Sequence, residues 1–414
     1  GVMQKVAAAD FIIWAFPLYF LLVHSGYMRF IELIFERNKE TVFKDKYSAA
    51  ISTSIHFYDH TAHNYIHSIS DDLEMNYLGG IPAHMHDLTK TDVRRSLDAL
   101  FANWMESAIH KLPSNPAFAP VQYTPNQLGV LRSAENGVGV DTDKKVCIVA
   151  DLPTQHSNIG EMVRMMSSYF PHSEVVNLAQ ISMGPCRGCL KCGFDNHCVY
   201  ADRDEHNEVY RSKVLPADIV IFAGSMEHRY LSSRWQCYLE RSFVRTHQPI
   251  LKNKQVAFLI SGPLSQNHTA REVLTAYTET MGGNLVSIVS DEITSPNELS
   301  RTIGHTARTL AAFSTANVQK PQSFLGVAGM KIFRDEIFSG LRFVFQADNE
   351  FYRHHGLYDF PHKRKLFRSV ISLIILVSKI PILRRKIPLK MKQMMLRPYK
   401  EIIAQAQACN DTLT

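Results

Sequence analysis

Val146-Cys-Ile-Val-Ala-Asp151 is an unbroken apolar run closed by charge and by Pro153. A strand that is apolar on both faces has to be buried between two layers, the situation of a parallel strand in a sheet covered by helices. Outward from it, Asn158–Phe170 spaces Ile159, Met162, Val163 and Met166 along one helical face. Glu174–Asn177 gives a short second strand, and a helix near Asn207–Val214 precedes a third, Ile219–Ala223. Helix Ser232–Phe243, strand Val256–Ile260, helix Thr269–Met281, strand Leu285–Val289 and helix Pro296–Phe313 follow. Five strands alternating with helices predict a doubly wound parallel α/β sheet, for which strand order 2-1-3-4-5 is a common solution. Such sheets bind ligands at the carboxyl ends of their strands.

The chain also repeats itself. Lys5–Asn76 placed over Lys213–Asn284, an offset of 208 without gaps, gives seventeen identities in 72 positions. Background composition would give roughly four. The identities include Ala9-Asp10/Ala217-Asp218, Glu32/Glu240, Phe35/Phe243 and His60-Thr61-Ala62/His268-Thr269-Ala270. Two tandem modules are therefore expected: 1–105, a first copy lacking its first two strands, and 143–318, a complete copy, joined by a Pro- and Gly-rich linker over 106–142. A partial first sheet would leave an apolar edge. A longer natural amino end, or a second chain over that edge, is expected to cover it.

The charge is just as unevenly spread. The 414 residues carry a formal net charge of +6, yet 361–400 holds twelve Lys or Arg and no acid, so removing that +12 leaves −6 elsewhere. Seven cysteines are too few for a disulfide-built secreted scaffold, and a cytoplasmic location is expected. Phe11–Val23 and Val370–Leu383, interrupted by Pro17 and by Lys379 and Pro381, are too short and too broken to be read as membrane spans. Residues 319–414 read as a helical, amphipathic, basic tail. Alternating apolar and basic clusters in 361–400 suit an anionic membrane surface, or alternatively a helix packed on a module. Nucleic acid is not expected, because Ile, Leu and Val interleave with the charge rather than aromatic residues.

Three features carry chemistry. Thr154, His156, Ser157 and Asn158 follow the first complete strand and open a helix, so they have the character of a phosphate cradle or, for Ser157 and Asn158, of a plain helix cap. Neither GxGxxG nor a Walker lysine is present. Cys186, Cys189, Cys192 and Cys198 are spaced C-x2-C-x2-C-x5-C. That spacing suits a [4Fe–4S] cluster better than zinc, with metal-free thiols as the third reading. After the third strand of each copy come Ala15-Phe-Pro-Leu-Tyr-Phe20 and Ala223-Gly-Ser-Met-Glu-His228. There Tyr19 is placed to stack on a flat ligand or to serve as core.

Together these residues resemble the NAD(P)H-dependent FMN reductases of flavodoxin-like fold and, within them, the iron–sulfur flavoproteins. The likeness rests on Pro185-Cys-x-Gly-Cys-x2-Cys-x5-Cys198, on Ala217-Asp-Ile-Val-Ile-Phe222 and on Pro153…Ser157-Asn158. It covers 143–315, and 1–105 as a partial copy. The family's Ser-Pro-x-Tyr loop survives as Phe16-Pro17-Leu18-Tyr19 in the first copy and reads Gly224-Ser225-Met226-Glu227 in the second. The resemblance implies FMN, with its phosphate on Thr154, His156, Ser157, Asn158 and Ile159. It sets the flavin ring against Gly224, Ser225, Met226, Glu227, His228, Tyr230 and the Ser261-Gly262 turn. It also implies a cluster on the four cysteines, NAD(P)H as donor, and an electron-transfer oxidoreductase acting as a homo-oligomer or a pseudo-dimer of modules. The competing expectation is a non-catalytic scaffold or membrane-surface assembly protein with degenerate flavin loops.

Overall fold

Apolar runs with branched side chains form the central strands of the larger sheet, and helices alternate with most of the strands. The computed structural model describes residues 1–124, 131, 139–153, 157–293 and 295–361, with scattered positions from 369 to 408. After a short helix, α1 (Val2–Ala8), come β1 (Phe11–Pro17), α2 (Ser25–Glu36), β2 (Tyr47–Ser54), α3 (Asp59–Asp72), β3 (Asn76–His84) and α4 (Thr91–Ile109). Then follow β4 (Val146–Ala150), α5 (Asn158–Tyr169), β5 (Glu174–Asn177), β6 (Ile219–Ser225), α6 (Ser233–Ser242), β7 (Gln255–Ser261), α7 (His268–Thr280), β8 (Asn284–Ser290) and α8 (Pro296–Thr315). Two more helices, α9 (Phe324–Phe338) and α10 (Gln346–His354), close the described order.

The larger sheet has the order β5-β4-β6-β7-β8, all parallel, which is 2-1-3-4-5 within the module: the flavodoxin-like arrangement. Alternation along β6 explains its burial on both faces. Ile219, Ile221 and Ala223 join Ile159, Met162, Leu299 and Ile303 in the core under α5 and α8. On the opposite face, Phe222 meets Trp235 of α6 and Tyr277 of α7 edge-on, each with centroids 5.7 Å apart. Full burial of one such side chain is worth about 1.5–3 kcal/mol.

The smaller sheet, β1-β2-β3, is also parallel. Its strands begin at residues 11, 47 and 76, and β6, β7 and β8 begin at 219, 255 and 284, each 208 later. The helices α2 and α6 begin at Ser25 and Ser233, again 208 apart, and they pack on one another. At this contact Ser25 donates its backbone N–H (2.6 Å) and hydroxyl (2.8 Å) to Glu240, and Ser233 donates the same two groups to Glu32. Each helix thus begins on a carboxylate supplied by the other, where the helix dipole favours negative charge.

Two boundaries differ from the sequence reading. Helix α4 continues to Ile109, because nothing helix-breaking occurs before Pro113. Residues 319–355, read as the start of the tail, belong to the same compact unit as both sheets, Gly1–His355. The reason is that Phe333, Ile337 and Tyr352 are buried there. The second unit is Gly356–Thr414; most of its basic stretch lies outside the described residues, and Leu373 and Leu376 are exposed. Among the described residues no helix is long and apolar enough to cross a membrane.

Candidate functional site

The carboxyl ends of β1 and β2 open into a cavity of about 310 Å³. Its volume lies at the small end for a ligand pocket. Pro17, Leu18, Tyr19 and Phe20 form one wall, with Thr53, Ser54 and Met85 from the neighbouring strand ends. The opposite wall comes from the other module: Cys186–Leu190, Cys192 and Cys198–Tyr200. Glu240 and Arg241 from α6, and Phe243 and His247 just beyond it, close one side, and Phe333 and Phe345 close the back.

Several contacts hold these walls together. Leu18 N–H bonds the Thr53 carbonyl (3.3 Å), which fixes the start of the aromatic loop. His24 accepts from Gly26 N–H at Nδ1 (3.1 Å), so Nε2 carries the proton and donates to the Cys186 carbonyl (2.8 Å). The cysteine loop turns at Gly188 with φ +60, directly under the Tyr19 ring, where a Cβ would lie 2.7 Å from ring atoms. Both the turn and the close approach require glycine. Arg241 bonds the Gly184 carbonyl (2.9 Å) and Asp204 (3.0 Å) and lies 4.4 Å from the Tyr200 ring centroid. It therefore clamps the loop at both ends.

Burial sets the electrostatics of this site. It pushes the Cys186 thiol up to about 11 and that of Cys192 to about 12, with neighbouring thiols adding to the rise. Tyr19 is raised for the same reason, with Cys186 and Glu240 adding to it. Burial also drives Glu240 up to about 7, against the opposing pull of His24 and Ser25. The four cysteines share one wall, but no group of three or more His, Cys, Asp or Glu side chains among the described residues is gathered so as to hold a metal ion. A cluster or a zinc ion needs its sulfur ligands to converge on one point, and the described cysteine side chains are not so gathered.

Those residues that the resemblance assigns to FMN and that the structure describes do not line this cavity. Thr154 and His156 lie outside the described residues. Ser157 caps α5, accepting from Gly160 N–H (3.2 Å). Ile159 and Tyr230 are core residues at 1% exposure, and their side chains face the interior. Gly224 makes room for Trp235, whose indole N–H bonds the Ala223 carbonyl (3.0 Å). Ser225 pairs with Ser261 across β6 and β7, and Met226 N–H bonds the Ser261 carbonyl (2.8 Å).

Asp291, at the end of β8, takes the donors of the ring turn: Ser261 hydroxyl (2.7 Å), Gly262 N–H (2.9 Å), Asn158 amide (2.9 Å) and Tyr123 hydroxyl (2.8 Å). Glu227 and His228 line a second, open cleft with Asp151, Glu32, Glu36 and Arg234. Glu227 is raised by burial and by Glu32 and Asp151. His228 stacks on Phe35 at 4.0 Å.

An Asp291→Ala substitution is expected to leave these donors unmatched and to cost about 2–3 kcal/mol in urea unfolding. An unchanged midpoint would show that water replaces the carboxylate at no cost.

Sequence reading found Pro17, Tyr19 and the cysteines but missed the rest of this cavity. Glu240 had a signal, its identity with Glu32 in the repeat. Arg241, His247 and Phe345 had none, since their partners are distant in the chain.

No protein-family model matches the chain, and no curated protein does. Solved structures resemble part of it. One is RosB with a bound 8-demethyl-8-formylriboflavin-5'-phosphate intermediate, at 15% identity over 46% of this chain and 87% of that one, TM-score 0.34. Another is the apo NADH:FMN oxidoreductase EMOB, at 12% identity over 43% and 92%, TM-score 0.30. A third is an FMN-dependent NADH-azoreductase from Bacillus anthracis in complex with FMN, at 10% identity over 41% and 98%, TM-score 0.34. Likenesses of this degree, each over less than half of the chain, decide no function.

Proposed function

We propose that this protein is a flavin-dependent oxidoreductase whose two modules are tandem copies sharing one redox site, the cavity between the β1 and β2 ends and the cysteine loop. The observation that carries the reading is the meeting of Pro17–Phe20 with Cys186–Tyr200 across that cavity. It lies where doubly wound sheets bind ligands, and its walls are mainly aromatic and apolar. FMN, with NAD(P)H as donor, would supply the electron transfer. Tyr19 lines the cavity with an aromatic ring that Gly188 of the cysteine loop packs against, and the phenylalanines at the back exclude water. The cysteines act here as wall, and no step passes through a metal.

Titrating FMN, riboflavin and lumiflavin into the protein, with flavin fluorescence as the readout, tests this. Saturable quenching is expected, with Tyr19→Ala weakening it about tenfold, or 1.4 kcal/mol. A colourless protein that takes up none of the three flavins would overturn the reading. That outcome would favour a scaffold, for which the capture of Ser261, Gly262 and Asn158 by Asp291 speaks in the larger module.

A further inference from the structure

One side chain lining this cavity, His247, and the carboxylate behind it come from outside both sheets. Beyond α6 the chain passes through Thr246 with φ 52, a strained conformation for a β-branched residue. That turn brings the Thr246 hydroxyl and the His247 N–H (3.3 Å) to the carboxylate of Asp348 in α10. His247 Nδ1 lies 2.7 Å from Asp348 Oδ2, and the Tyr352 hydroxyl donates to the His247 carbonyl (2.9 Å). Asp348 has no exposed surface. The His247 ring sits among Phe333, Phe345 and Phe243, with centroids at 3.8, 4.6 and 5.1 Å. It lines the same cavity as Tyr19.

A buried carboxylate at Nδ1 fixes the tautomer. Of the two neutral tautomers it selects the one with its proton on Nδ1, and in that form Nε2 offers a lone pair. Nε2 has no hydrogen-bond partner among the described residues. The apolar box around the ring strengthens any polar contact made there.

We propose that His247, oriented by Asp348, is the proton-exchanging residue of this cavity, and that it takes flat aromatic ligands bearing an ionisable O–H or N–H on the ring edge. The proposal rests on the reading of this cavity as the ligand site. In the exchange the ligand's O–H bond breaks, its electron pair stays on oxygen and the proton forms a new bond to Nε2. The resulting imidazolium lies between two anions, Asp348 and the ligand. The reverse transfer returns the proton. Glu240 and Arg241 also line the cavity, with Arg241 already engaged by Asp204.

The test uses 4-nitrophenol, whose phenol and phenolate forms absorb at different wavelengths, at a pH where the free probe is neutral. Bound to the full chain, it is expected to show the phenolate band. His247→Asn keeps an amide to donate to Asp348 but has no atom in place of Nε2. It should lose the band and bind about tenfold more weakly. His247→Gln places its amide near Nε2 and should bind the probe as neutral phenol. Asp348→Asn, a change at the positioning residue, should lower the phenolate fraction while leaving the probe bound. A phenolate band unchanged in both His247 variants, or a probe bound as phenol by the unsubstituted protein, would overturn the proposal. Flavin titrations on the same preparations keep the two ideas apart. If flavins fail to bind while nitrophenol behaves as described, proton exchange stands and the flavin reading falls.

Discussion

Arg241→Met is expected to remove about 3–5 kcal/mol of stability, the cost of leaving a buried carboxylate without its cation. The side chains of Arg241 and Asp204 are only 1% and 5% exposed, so water cannot take over the vacated contacts. Burial alone would raise the Asp204 carboxyl, but Arg241 outweighs it and holds the carboxyl below its ordinary value. A carboxylate with a depressed value in the folded state contributes stability above its unfolded value, and that contribution fades as the pH falls through the acid range. The variant should therefore lose part of the acid sensitivity of the unfolding midpoint as well as overall stability.

Lysine at 241 is expected to rescue little, because a point charge cannot bond Gly184 and Asp204 together while covering the Tyr200 ring. Pairing Arg241→Met with Asp204→Leu should be milder than Arg241→Met alone, since no unpaired charge remains. Urea unfolding of the three variants measures this. A loss below about 1 kcal/mol for the single change would place the pair among exposed ion pairs. Limited proteolysis should cut first between Gly184 and Asp204, the segment that the guanidinium clamps.

The second large effect is expected at the reciprocal clasp. Glu240→Ala leaves the Ser25 N–H and hydroxyl buried without an acceptor, at a cost of about 2–3 kcal/mol. Glu32→Ala removes the acceptor of the half-buried Ser233 donors and should cost less. The double variant should unfold in two steps as the modules separate. The pH dependence has a definite sign. Glu240 is pushed up to about 7 by burial, so the folded state holds its proton more tightly than the unfolded chain does. That contribution is complete below the ordinary glutamate value and is lost as the pH rises through about 7. Glu240→Gln should flatten the decline in stability between about pH 5 and about pH 8. An equally steep decline in the variant would assign it to another group.

Most of the larger sheet was legible from local pattern. Val146–Ala150 is apolar without interruption because β4 is buried on both faces, and the 208-residue spacing reappears in where the strands start. Strand facing is a period-2 property written into neighbouring residues, so a single sequence carries it. The site was legible only in part. Tyr19 and the four cysteines stood out as types, but their meeting depends on α2 packing against α6, a relation between segments more than 150 residues apart. Nothing in Ser261-Gly262 announces that their donors are taken by Asp291, thirty residues further on. The pairing of His247 with Asp348 is set by a left-handed turn at Thr246 and by a helix that the composition had assigned to the tail.

The clasp has a further consequence for how such a chain assembles. Each of the two helices carries both halves of the grip, the serine at its first turn and the glutamate two turns later. Either helix is therefore a self-complementary surface, and a polypeptide carrying only one of them would meet its own copy by an isologous, two-fold contact of the same design. Linking two such units in one chain turns a concentration-dependent encounter into an intramolecular one. In this chain the two sites differ, one an apolar thiol-walled cavity and the other a cleft lined with carboxylates.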